Sequence, residues 1–498
     1  MRGALVNLDA MRRDSTLQRR APRASQLSIR RLQWIVPMVV LLGIAGTIGC
    51  RTRPVVIAAP PHLEIDTNAI GRRPDKPAPK TYQSIWHATT AGDLRAAQHM
   101  AENDEQRQLL DAMIAVLQGF FEKGEDIVTP LLNAKDSIVR DAAKLTYGAA
   151  LSIQGKWGRL AQFTDSLHTI AEISGDTNQL HQRAILDEAG ISAWARAFRS
   201  IQTTHTFNDS VTTLALYRAL SGTPIIEVYV NGVLKRFWLD TGASLSILSS
   251  TTAADCGITP INNDTLALVT SIGRLAAKPA VIPTLHVGGL HVKEAAAMIV
   301  DANSLTLKVQ LPAPNRAPIH GPNAGEELER SQEVRIDGVI GFDVIRLLDL
   351  TLDDVRGRVV IRRPVLRSDN PERPRNLFWF GLPIVRLTAA NGQPLHLALD
   401  TGSDETYGTR TLATKTRARS IKAERRSVQG FGASATESGV VIPNVRIFLD
   451  TTPLLLERVF LYNARYPTIF DLDGTLGADI SRGNVIRIDM TNGRFELR

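Results

Sequence analysis

The sequence predicts a multidomain α and β protein: an N-terminal α-helical repeat domain followed by a two-lobed all-β domain. Three observations carry this. Between residues 81 and 200, apolar residues recur at helical spacing, as in Leu109, Leu110, Met113, Ile114 and Leu117. From about 205 the pattern changes to short β runs broken by Gly and Asn turns, as in Tyr229-Val230-Asn231-Gly232-Val233-Leu234. Within that β region one pattern occurs twice. An apolar strand runs into Asp240-Thr241-Gly242, and another, 160 residues on, runs into Asp400-Thr401-Gly402.

Residues 1–50 read as an export segment. Arg30-Arg31 precede an uncharged stretch, Trp34 to Gly49, that ends Thr47-Ile48-Gly49-Cys50. A basic flank, a short apolar core and small residues before a cut site make a secretory signal. Its 16 uncharged residues fall short of the ~20 that span a bilayer. Small residues followed by Cys resemble the bacterial lipoprotein signal, which implies Cys50 as the lipidated residue after cleavage. Thr47 departs from the Leu usual there. The alternative is an uncleaved anchor helix, which Arg51 and Arg53 behind the stretch fit. Either reading expects a membrane-tethered protein on the periplasmic side of a bacterial envelope.

Residues 51–80 hold Pro54, Pro60, Pro61, Pro74, Pro77 and Pro79, the composition of a semi-extended linker. Residues 81–204 form the helical-repeat domain. Gly92-Asp93, Gly124-Glu125 and Gly155-Lys156 recur at spacings of 32 and 31, each expected to open a short helix followed by a longer one. That resembles tetratricopeptide-type hairpins, although their signature aromatic and Pro positions are not clear here. Such a domain offers either a surface for a protein partner or a packing platform for the next domain.

The β region divides into a first lobe, 205–363, a Pro- and Arg-rich interlobe linker, 364–376, and a second lobe, 377–498. The division rests on repeated landmarks. Pro224-Ile225-Ile226 and Asn231-Gly232 lead to the first Asp-Thr-Gly; Pro383-Ile384-Val385 and Asn391-Gly392 lead to the second. Downstream, Asp337-Gly338-Val339-Ile340-Gly341-Phe342-Asp343 matches Asp473-Gly474-Thr475-Leu476-Gly477-Ala478-Asp479 at an offset of 136. The first lobe therefore carries 24 extra residues, mostly Gln310 to Gln332, which reads as a mobile loop.

Two carboxylates held close can hydrolyse an amide without metal or nucleophile. Like charges in one site cannot both ionise, so one carboxyl activates water while the other supplies a proton. Asp240 and Asp400 are the candidates. A turn carboxylate capping its own backbone is the plain alternative for one such motif, and the duplication argues against it. Gly242 and Gly402 permit the close backbone approach that lets N–H groups reach a carboxylate.

These motifs resemble the retropepsin-type aspartic proteases, of retroviruses and of exported bacterial proteins, over somewhat more than half the chain. The resemblance implies an acid-protease fold, peptide-bond hydrolysis on a protein or peptide substrate, and no cofactor or metal. It implies Asp240 and Asp400 as the dyad, with hydroxyl bonds from Thr241 and Thr401 across a pseudo-two-fold axis. Gly341 and Gly477 match the glycine that completes the strand crossing beside the catalytic turn. Ser403 stands where lobe one has Ala243. Its hydroxyl is expected to stabilise Asp400 as the anion, leaving the proton on Asp240. Flaps are expected around Gly273 in the first lobe and around Gly430 and Phe431 in the second.

Composition excludes other classes. Six of the eight net positive charges fall in residues 1–33, leaving +2 from Cys50 onward, so no basic face marks a nucleic-acid partner. Cys50 and Cys256 form neither a C-x-x-C pair nor a disulfide framework, and Cys256 reads as a small core residue. Gly430-Phe431-Gly432 mimics a dinucleotide loop but leads into β-like Val440-Val441-Ile442-Pro443 rather than a helix. Three rival readings remain: a catalytically inactive peptide-binding protein, a scaffold built on the helical repeats, and a dimer in which each lobe pairs with its counterpart in another chain.

Overall fold

The computed structural model describes residues 63–75, 81–174, 190–219, 222–270, 273–310, 331–367, 374–418, 422–430, 433–464, 466 and 468–498. All belong to one compact unit, Val55–Arg498. Cys50, the apolar stretch 34–49, Phe431 and loop residues 311–330 lie outside the described residues. No described helix is long and apolar enough to cross a membrane.

The helical region alternates short and long helices: Leu94–Met100 then Asp104–Leu117, and Phe121–Val128 then Ser137–Ile153. Trp157–Ser174 follows. Side-chain caps start several of them, with Asp93, Asn103 and Asp136 accepting backbone N–H bonds. The expected repeat frame needs two corrections. Gly92 and Gly155 sit at turns with φ of +76° and +68°, but Gly155 opens the 18-residue helix Trp157–Ser174 rather than a short one, and Gly124-Glu125 lies inside a helix. The turn there is made by Gly119, at φ +84°. Gly124 serves packing instead, because a Cβ on it would come 2.5 Å from Val116 Cγ2 on the neighbouring helix. Leu109, Leu110 and Met113 are fully buried, so the periodic face points inward.

The β region forms two nine-stranded sheets of identical strand order. The first runs Thr204–Phe207, Leu290–Val300, Ser246–Ser249, Gly338–Ile340, Val233–Leu239, Pro224–Val230, Arg274–Val287 and Leu266–Val269, with Tyr217–Arg218 on the side. The second runs Leu63–Ile65, Thr452–Leu461, Tyr407–Gly408, Gly474–Leu476, Pro394–Leu399, Pro383–Ala389, Ala433–Leu449 and Lys422–Gly430, with Leu377–Trp379 on the side. A five-stranded sheet joins the halves by pairing Asp349–Asp353 of the first with Val485–Asp489 of the second. Arg487 sits on that seam, bonding Asp349 through two nitrogens at 2.7 and 2.8 Å and Asp489 at 3.0 Å.

Three expected segments differ in detail. The stretch 51–80 reads as linker, yet Leu63–Ile65 is the edge strand of the second sheet, paired antiparallel with Leu454, Leu455 and Leu456. Asp66, buried, pairs with Arg446 at 2.6 Å. At the end of the expected interlobe linker, Asn376 is buried and exchanges bonds with the Phe495 backbone at 2.8 and 3.0 Å. The ends of the expected 310–332 loop are strands, with Gln310 opposite Ser331 and Val309 opposite Gln332. In each case tertiary pairing satisfies backbone groups that composition alone assigns to solvent.

The helices bridge both halves. Phe121 packs edge-on to Trp379 at 5.5 Å, and Arg375 bonds the Gln118 carbonyl at 2.9 Å. At the other end the Trp194 indole bonds the Ala267 carbonyl of the first sheet at 3.1 Å.

Removing the edge strand tests its contribution. A chain beginning at residue 76 is expected to lose about 2 kcal/mol, from lost ladder bonds and the Asp66–Arg446 pair. Circular-dichroism melts should show a lower Tm than for a chain beginning at Val55.

Candidate active site

Each Asp-Thr-Gly follows a strand buried on both faces. Phe237, Trp238 and Leu239 precede Asp240; Leu397, Ala398 and Leu399 precede Asp400, and all six are buried. These strands run parallel to Gly338–Ile340 and Gly474–Leu476, respectively. Asp240 N–H donates to the Ile340 carbonyl at 3.0 Å, and Asp400 N–H to the Leu476 carbonyl at 3.0 Å. The downstream Asp-Gly-x-x-Gly segment thus fixes the backbone at each aspartate. The first glycine of that segment is required by approach: a Cβ on Gly474 would sit 2.2 Å from the Tyr407 carbonyl oxygen.

The two turns interlock. Thr241 Oγ1 donates to the Leu399 carbonyl at 2.7 Å, and Thr401 Oγ1 donates to the Leu239 carbonyl at 2.6 Å. Each hydroxyl also accepts the other threonine's backbone N–H, at 3.1 and 3.0 Å. Both threonines are buried. Each glycine lies under the opposite carboxyl. A Cβ on Gly242 would come 2.6 Å from Asp400 Cγ, and one on Gly402 would come 2.5 Å from Asp240 Cγ.

The carboxyls are held by backbone donors and by each other. Asp240 Oδ1 accepts from Gly242 N–H at 2.8 Å and Ala243 N–H at 3.2 Å. Asp400 Oδ1 accepts from Gly402 N–H at 3.0 Å and Ser403 N–H at 3.1 Å. Burial raises Asp240 well above the ordinary aspartate range, and the Asp400 charge and a bond to it add to the rise. Burial also raises Asp400, while the bond from Asp240 and the turn N–H groups oppose it. Two buried carboxyls that act on each other cannot easily both ionise, so the pair favours a single shared proton.

Ser403 needs a correction. Its hydroxyl donates to the Glu405 carbonyl at 3.0 Å, and only its backbone N–H reaches Asp400. The serine hydroxyl therefore does not bear on Asp400.

A second layer behind the turns escapes a reading of motifs alone. Gly341 N–H donates to Ser246 Oγ at 3.2 Å, and Gly477 N–H donates to Thr406 Oγ1 at 3.1 Å. Those hydroxyls donate in turn to Asp343 at 3.1 Å and Asp479 at 2.7 Å. Burial raises Asp343 to about 6 and Asp479 to about 7. Ser246 and Thr406 stand at the same offset of 160 as the aspartates, so extending the repeat by four residues finds them.

Gly273 and Gly430 both fall at hairpin tips. Gly273 N–H donates to Thr270 Oγ1 at 3.1 Å beside the Val269–Arg274 pair, and Gly430 lies opposite Ala433. The second hairpin is tied to the segment after Asp400, because Arg426 on its first strand pairs with Glu405. No cluster of His, Cys, Asp and Glu suited to a metal occurs among the described residues.

Residues 226–344 match the family model described as aspartyl protease, a span that includes Asp240 and Gly341. No curated protein matches this chain. Among solved structures, a retropepsin-like aspartic protease from Rickettsia conorii aligns at 16% identity over 33% of this chain and 95% of that one, with a TM-score of 0.19.

The threonine interlock is testable by stability. Thr241→Val leaves the buried Leu399 carbonyl and Thr401 N–H without partners and is expected to cost about 2–4 kcal/mol in urea unfolding. Thr241→Ser, which keeps the hydroxyl, should cost less than half of that.

Asp479 gives a pH signature. Its folded value, about 7, lies above the ordinary 3.8, so its contribution to stability is full below the ordinary value and is lost as pH rises through about 7. Asp479→Asn, which mimics the protonated form, should flatten the fall in Tm measured between pH 5 and 8.

Proposed function

We propose that this protein is an aspartic endopeptidase whose dyad, Asp240 and Asp400, is supplied by the two lobes of a single chain. The observation that carries the reading is the reciprocal seating of each carboxyl against the other lobe's glycine, beneath crossed threonine bonds. That arrangement brings together two carboxyls that burial and mutual repulsion allow to hold one charge.

The chemistry follows from the proton count. Ionised Asp400 takes a proton from water as the water oxygen attacks the scissile carbonyl carbon. Asp240 gives its proton to the carbonyl oxygen, forming a tetrahedral diol. Asp400 then protonates the amide nitrogen, the C–N bond breaks, and a diol hydroxyl returns its proton to Asp240. The dyad ends as it began, and no cofactor enters. In this reading the hairpins at Gly273 and Gly430 close over a protein or peptide substrate. Trp194 of the helical region holds the base of the first, and Glu405, after the second Asp-Thr-Gly, pairs with Arg426 on the second.

The export segment and Cys50 support an enzyme tethered at the outer face of the cytoplasmic membrane, by lipid or by an anchor helix. Its substrates are then proteins or peptides near that membrane. The helices 81–204 act as a platform for the β lobes. Ile138 is the one large hydrophobic residue that their described part leaves exposed, which disfavours a scaffold built on an apolar docking face.

Cleavage of denatured casein from pH 3 to 8 tests the reading. Asp240→Asn and Asp400→Asn should each reduce the rate by at least about a thousandfold. The profile should be bell-shaped, falling at low pH as Asp400 takes a proton and at high pH as Asp240 loses one. Because both carboxyls are raised, the optimum should lie above the ordinary aspartate value of 3.8. Undiminished cleavage by either variant would remove the dyad assignment. Failure of the parent to cleave casein or bind pepstatin would favour an inactive peptide-binding protein.

A further inference from the structure

A cavity of about 580 Å³ opens where the helical region and both β lobes meet. Phe121 comes from the helices, His205, Phe207, Arg346 and Arg363 from the first lobe, and Met490 from the second. Its size suits a small molecule. Its chemistry is one-sided: two guanidinium groups and an imidazole share the space with apolar walls.

Arg346 is the unusual member. It closes the short helix Phe342–Ile345, which begins directly after Gly341. Its Nε is buried and has no hydrogen-bond partner. The nearest opposing charge is Asp343, whose oxygens are already engaged by Ser246, and no ion pair joins it to Arg346. Burial lowers the guanidinium to about 10; partial burial depresses His205, and the Arg346 charge adds to that. A cation with a buried, unpaired nitrogen and no ion-pair partner is costly to leave without an anion. In the second lobe the residue at the matching offset, Arg482, is used differently, bonding the Asp404 carbonyl at 3.4 Å. The free guanidinium is thus particular to the cavity side.

We propose that this cavity binds a small organic anion, its carboxylate or phosphate head on Arg346, with Arg363 at the rim and its apolar body against Phe121, Phe207 and Met490. The proposal is independent of peptide hydrolysis. Because the walls come from three parts of the chain, a bound anion would also tie those parts together.

The test is calorimetric titration of the full chain in detergent with phenyl phosphate, benzoate and neutral benzyl alcohol, at fixed ionic strength. Saturable binding of at least one anion, with Kd below about 1 mM and no binding of the alcohol, is expected. The preferred anion then identifies the head group as phosphate or carboxylate. Arg346→Met should weaken that binding by about tenfold or more, and Arg346→Lys by less, as loss of a charge-assisted bond requires. Should Arg346→Met fail to fold, Arg363→Gln, at an exposed position, should still weaken binding severalfold. Absence of saturable binding by either anion would overturn the proposal. So would equal affinity in a folded Arg346→Met, or in Arg363→Gln where Arg346→Met does not fold.

Discussion

Two threonine hydroxyls, each giving its proton to a carbonyl of the opposite lobe and accepting an N–H from it, are the constraint on which the rest of the site depends. The four bonds are buried, so breaking any one leaves a polar group that water cannot reach. That makes the facing of the two turns close to all-or-none. The carboxyls inherit their positions from it, because each is seated over the opposite glycine and bonded by the N–H groups of its own turn. Burial in that position then raises both carboxyls above the ordinary aspartate range.

The layers behind the turns repeat the same logic at greater depth. Ser246 with Asp343, and Thr406 with Asp479, tie the glycine of each strand crossing to the segment after each aspartate. The raised values of Asp343 and Asp479 indicate that neutral carboxyls suit these positions at moderate pH. In the seam sheet a cation meets the carboxyls instead, because Asp349 and Asp489 both bond Arg487 in a geometry that matches the guanidinium fork.

The two lobes share one topology but differ in how they are completed. The first takes its edge strand from Thr204–Phe207, immediately upstream, while the second takes Leu63–Ile65 from before the helices. The helical region therefore lies between two segments that are both fixed in β structure. Its contacts with Trp379 at one end and Ala267 at the other give it a structural reason to be where it is.

The sequence by itself determined the helical region from residue 81, the β region after it, the duplication, and the pairing of Asp240 with Asp400, whose turns the fold brings together. It could do so because a repeated motif at a fixed offset reports equivalent positions without any knowledge of contacts. Extending that offset would also have revealed Ser246 and Thr406. Other features were decided only by tertiary structure. Composition assigned residues 63–65 to a linker, and the missing backbone partners of Thr452–Leu461 made them a strand. Identity at position 403 suggested a hydroxyl on a carboxylate, and the nearby Glu405 carbonyl took that hydroxyl instead. Gly124 looked like a turn and proved to be a packing contact. Local pattern records what a residue prefers, but partners hundreds of residues away decide which hydrogen bond or cavity it fills. Arg346 shows this most plainly, because nothing in its own stretch of chain indicates that it lines a cavity with its Nε buried and unpartnered.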